Sequence, residues 1–156
     1  MKAILFAVVI TLAGSASAAD SIYLNTELTR NGETVDNFAG LTNDGATQPH
    51  RNVELIKYRD SVINGKVKTA DLEVGTTASI TPVITSGGSI RLSFDVDYVR
   101  LKRMDRAKAG NTYIDQPQTE SYKLSFTDIL PNGEKREYRS IEDGVEYVYT
   151  VSATKQ

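Results

Sequence analysis

From Ile90 every second residue is apolar: Ile90, Leu92, Phe94, Val96 and Tyr98 alternate with Arg91, Ser93, Asp95 and Asp97. That is the pattern of a strand with one buried face. Ala78, Ile80, Pro82 and Ile84 keep the same period against Ser79, Thr81 and Val83, and Ser86-Gly87-Gly88 supplies the backbone freedom a hairpin turn needs. The stretch Leu72–Arg103 is therefore expected to be the hairpin around which the rest is built. Pro82 removes a ladder donor, which predicts a sheet edge or a bulge at that point.

The flanking chain repeats the pattern. Ile22, Leu24, Thr26 and Leu28 alternate with Tyr23, Asn25 and Glu27 up to the turn Asn31-Gly32, and a short strand over Glu33–Phe38 follows. Ala39–Pro49, with two glycines and a proline, reads as a long loop. Asn52–Tyr58 is apolar on both faces and predicts a strand covered on both sides, while Asn64-Gly65 reads as a short surface excursion. After Tyr98 the apolar residues are Val99 and Leu101, a change of parity that predicts a bulge or sharp twist near Asp97–Val99, or the end of the strand's buried part. Met104–Gln118 is polar and reads as a second long loop. Ser121–Thr127 alternates again, Pro131-Asn132-Gly133 turns, and Glu134–Ser140 is a charged strand suited to a sheet edge. Asp143-Gly144 and the run Val145, Tyr147, Tyr149, Val151 complete the chain. With no helical period anywhere, the expectation is an all-β chain, an antiparallel sandwich or small barrel of about eight strands.

The run Val74-Gly75-Thr76-Thr77-Ala78-Ser79-Ile80-Thr81-Pro82-Val83-Ile84, then Ser86-Gly87-Gly88-Ser89-Ile90-Arg91-Leu92, resembles the hairpin of the secretin family, the outer-membrane pores of type II and type III secretion and type IV pili. That motif reads roughly V-G-x-x-L-x-[IV]-x-P-x-I, a glycine-containing turn, then [IV]-x-L. Pro117, Thr119 and the turn Asn132-Gly133-Glu134 echo the family further on, but Lys135-Arg136-Glu137 stands where secretins carry Gly-Gly-Leu. The resemblance implies an accessory or truncated relative of a secretion or pilus secretin, without the large periplasmic N-terminal domains.

Residues 1–18 read as a secretory signal: Lys2, an apolar run over Ala3–Ala13, Gly14, and Ala16-Ser17-Ala18 as cleavage site. Residues 19–156 then form one domain with no transmembrane helix, exported to a bacterial periplasm or associated with the outer membrane. The sequence holds no cysteine, so burial alone must hold the fold. Eighteen basic and twenty acidic residues are spread without a block, which sets nucleic-acid binding aside.

Candidate chemistry is sparse. His50 is the only histidine and lies in Gln48-Pro49-His50-Arg51, without a nucleophile elbow, so it reads as a solvated loop residue. Asp95 and Asp97 share one strand face, which reads as the wet side, and Asp36, Asn43 and Asp44 miss the calcium-loop spacing. Tyr98, Tyr122, Tyr147 and Tyr149 read as core tyrosines whose hydroxyls reach the rim. No cofactor, metal site or enzymatic activity is expected. Binding is assigned to the two loops, through Asn43, Asp44, His50, Arg106, Asn111 and Tyr113, against a protein partner in the cell envelope. A small outer-membrane barrel and a secreted enzyme inhibitor stand as the alternatives.

Overall fold

A computed structural model describes residues 20–156; the expected signal and its cleavage site lie outside the described residues. The eight strands are β1 (Ser21–Arg30), β2 (Glu33–Asn43), β3 (Gln48–Ile63), β4 (Lys66–Ile84), β5 (Ile90–Ala109), β6 (Thr112–Leu130), β7 (Lys135–Glu142) and β8 (Val145–Lys155). They form two four-stranded antiparallel sheets, ordered β2-β1-β8-β7 and β3-β4-β5-β6. The two sheets pack as a sandwich and do not join into a closed barrel.

The turns follow from their residues. Asn31 and Gly32 have φ of 49° and 80°, and Asn64-Gly65 and Asp143-Gly144 repeat this pair of positive values. A two-residue hairpin whose twist matches its strands requires such values, and asparagine, aspartate and glycine adopt them at least cost.

The alternating residues of both sheets meet in one core. Ile22, Leu24 and Leu28 of β1, Leu92, Phe94 and Val96 of β5, Tyr122 of β6, and Tyr147, Tyr149 and Val151 of β8 are all buried. Phe94 packs against Tyr138 and Tyr149 at ring separations of 5.2 and 5.4 Å, and Tyr122 stacks on Tyr147 at 4.5 Å. The tyrosines thus fill the core, as their period predicts, but the Tyr122 and Tyr149 hydroxyls are buried inside it rather than reaching its rim.

Several sequence readings are corrected. Ala39–Pro49 is mostly strand, because β2 runs on to Asn43 and β3 begins at Gln48, leaving a turn at residues 44–47. Met104–Gln118 is a hairpin turning at Gly110-Asn111, with Arg106 opposite Asp115 and Lys108 opposite Tyr113. Its polarity reflects the lack of a fully buried face, since its residues alternate only between exposed and half-buried and need no apolar side. Asn52–Tyr58 lies in the edge strand β3 with Leu55 60% exposed, so it is not covered on both sides. The change of parity after Tyr98 is resolved by a bulge between Leu101 and Arg103, a few residues beyond Asp97–Val99. Pro82 lies in the interior strand β4, but β3 stops at Gln48 opposite Ile80, so β4 is locally an edge there. His50 sits in β3 rather than in a loop.

Candidate functional site

The pairing of β4 with β5 begins at Ile84–Ile90 and ends at Gly75–Val99. Beyond that line the β3–β4 and β5–β6 hairpins continue as two separate arms, residues 54–74 and 100–120. Ten residues of strand reach about 33 Å, so each arm is longer than the sandwich core needs. Gly75 marks the junction, paired with Val53 on one side and Val99 on the other. Its φ is 118°, and a Cβ there would collide with the backbone carbonyl of Asn52 and come within 2.9 Å of the Cα of Val53. Only glycine lets β3 and β4 approach so closely.

The arms are built differently from the core. Leu55, Ile63, Val67 and Tyr113 are exposed apolar residues on them, among Lys57, Arg59, Lys66, Lys68, Arg103, Arg106 and Lys108. The arms also meet. The backbone N–H of Arg59 on β3 donates to Asp115 Oδ2 on β6 at 3.0 Å, and Arg106 Nε donates to Asp115 Oδ1 at 3.3 Å. The Arg59 amide is the largest influence on the Asp115 carboxyl; desolvation opposes it, and the Arg106 guanidinium adds to it, so the carboxyl lies below its usual range. Strands β3 and β6 are the two edges of their sheet, and here they touch within one chain.

Polar groups tie the two sheets together around the rim of the core. Arg30 of β1 grips Glu120 of β6 through both oxygens at 2.5 and 3.0 Å, and Tyr147 O–H of β8 donates to Glu120 at 2.6 Å. These donors hold Glu120 well below its usual range, at about 2, with the Arg30 bond the largest cause. Burial works to raise Asp128 of β6, yet Arg136 and Tyr138 of β7 and the Ile129 amide outweigh it and keep that carboxyl low. The buried Asp36 of β2 accepts from Asn52 of β3 at 2.7 Å and lies 2.9 Å from His50 Nε2. The His50 ring rests on Phe38 at 5.0 Å, so the imidazole ties two strands together and is not solvated.

The residues assigned to binding divide into two groups. Asn43 ends β2, and the neighbouring Asp44 accepts the Ile84 amide at 2.7 Å and donates its own N–H to Asp20, fixing the β2–β3 turn to both sheets. Together with His50 they are engaged at the body of the sandwich. Arg106, Asn111 and Tyr113 fall on the β5–β6 arm, Asn111 in its turn and Tyr113 half exposed beside it. Asp115 and Arg59 escaped the sequence reading, although Gly110-Asn111 is itself a two-residue hairpin signal that would have revealed the arm. Asp95 and Asp97 line a shallow concavity on the outer face of β4, β5 and β6, where Lys123 pairs with Asp97 at 2.7 Å. Among the described residues no cluster of histidine, cysteine or carboxylates suits a metal ion.

No known protein family matches the sequence, and no curated protein does. Solved structures do match the fold. Over 88% of its length the chain is similar to the InvG secretin domain beta-barrel of the Salmonella SPI-1 injectisome, with a TM-score of 0.57 and 12% identity. It covers 60% of that chain. Over 99% of its length it is similar to the Vibrio cholerae type IV competence pilus secretin PilQ, with a TM-score of 0.53, 14% identity and 50% of that chain covered. The chain thus spans half to three fifths of these structures. The resemblance read from Val74–Leu92 extends to the whole fold, which is similar to that of secretin domains.

Proposed function

We propose that this protein is a non-enzymatic assembly module of the bacterial cell envelope, exported to the periplasm or outer membrane, whose copies join through the edges of the β3–β6 sheet. One observation carries the reading. The sheet ends in two long strands, β3 of 16 residues and β6 of 19, neither paired along its outer side with another strand. Strand directions alternate across β3-β4-β5-β6, so β6 of one copy and β3 of the next would continue the antiparallel order. Soluble proteins normally block such edges. The other sheet does so on β7, where Lys135, Arg136 and Arg139 lie on the edge.

The placement of proline agrees. The Arg59 amide points outward from β3, and counting back by twos from it reaches Pro49, so the missing donor falls on the outward side and costs the β3–β4 ladder nothing. The similarity to InvG and PilQ, a secretion and a pilus secretin, supports an envelope setting, and InvG is found with PrgH and PrgK in an injectisome basal body.

The test uses Lys57, which shares the outward parity of Arg59. Lys57→Pro removes an outward donor while leaving the β3–β4 ladder intact. Native mass spectrometry of detergent-extracted envelopes is expected to show multi-copy assemblies of the native chain and their loss in Lys57→Pro, with the circular dichroism of both proteins alike. A native chain that stays single at every concentration overturns the reading.

A further inference from the structure

We propose that Asp115 is a clasp that closes the two arms on each other within one chain and so withholds the β3 and β6 edges from a second copy. This rests on the reading that copies join by those edges. The amide that Asp115 occupies is the outward N–H of Arg59, one of the row that an incoming β6 would need. Asp115 also stands on β6, the strand that would arrive, directly opposite Arg106, which fixes its second oxygen. Its side chain is only 13% exposed although it lies on an arm with little packing.

The contact therefore competes with assembly in a specific way. A bond within one chain forms at high effective concentration, so it prevails while copies are scarce. When copies are abundant, a backbone carbonyl of an incoming β6 takes the Arg59 amide in place of the carboxylate, and the clasp is released. Bulges sit beside the clasp on both arms, between Arg59 and Ser61 and between Leu101 and Arg103. Such bulges bend strands and increase their twist, and here they accompany the turn that brings opposite edges together.

The absence of cysteine allows spin labels at Ile63→Cys and Lys108→Cys near the two arm tips. Pulsed electron resonance on dilute protein is expected to give one narrow distance in the native background and a longer, broader distribution with Asp115→Ala. Arg106→Ala, which frees only one oxygen of the clasp, is expected to fall between them. In native mass spectrometry Asp115→Ala is expected to lower the concentration for half-assembly by about tenfold, the scale of one charged hydrogen bond. An unchanged distance distribution in Asp115→Ala overturns the clasp, whatever happens to assembly. Arms that open while the chain stays single support the clasp and overturn edge-joining instead.

Discussion

Phe94 shows what a single residue contributes here. It is 1% exposed and touches aromatic rings from β6, β7 and β8. Phe94→Ala is expected to cost about 3–5 kcal/mol through lost transfer energy and a residual cavity, while Ser93→Ala on the opposite face stays within about 0.5 kcal/mol. Urea denaturation of the two variants measures the difference. Glu120 contributes through charge instead. Its carboxyl drops from 4.5 to about 2 on folding, so the stability it brings is present above the higher value and lost as pH falls toward the lower. Glu120→Gln is expected to cost about 1.5–3 kcal/mol at neutral pH. It should also flatten, without abolishing, the fall of melting temperature between about pH 4.5 and pH 2, since Asp115 and Asp128 shift in the same direction. Phe94 was legible because alternation is local. Glu120 was not, because its partner Arg30 is 90 residues away, and no local pattern records which carboxylate a guanidinium will meet.

At the scale of the element the same distinction separates sandwich from arms. Every tight turn with Asn-Gly or Asp-Gly between strands was readable, since the signal lies in residues that tolerate positive φ. The β5–β6 arm was misread as a loop because a strand whose better-covered face is only half-buried has no need of alternating apolar residues. Gly75 joins the two regimes. In the sequence it belongs to the Val-Gly pair of the secretin-like motif, and in the structure it is the last residue of β4 paired with both β3 and β5 before the arms part. Gly75→Ala must move the Asn52 carbonyl or unpair β3, at an expected cost of about 1–3 kcal/mol. Amide hydrogen exchange is the sensitive measurement, with protection expected to fall in Asn52–Glu54 and to hold at Phe94. Uniform loss of protection, or none, would mean that this close approach does not organise the arms.

At the scale of the whole molecule, the β3–β6 sheet is one unbroken stretch of chain, inserted between the two halves of the other sheet. Strands β1 and β2 precede it, β7 and β8 follow it, and β1 closes directly on β8 from Ile22–Lys155 to Arg30–Tyr147. This nesting sets an order of events during synthesis. All four strands of the inserted sheet are synthesised before Tyr147, Tyr149 and Val151, yet those residues cover Phe94 and Tyr122. The growing chain therefore carries an uncovered apolar face and two sticky edges until its last strand arrives. On the proposed route of export, crossing the membrane unfolded and folding only after release would keep that half-built face out of the compartment where the chain is made.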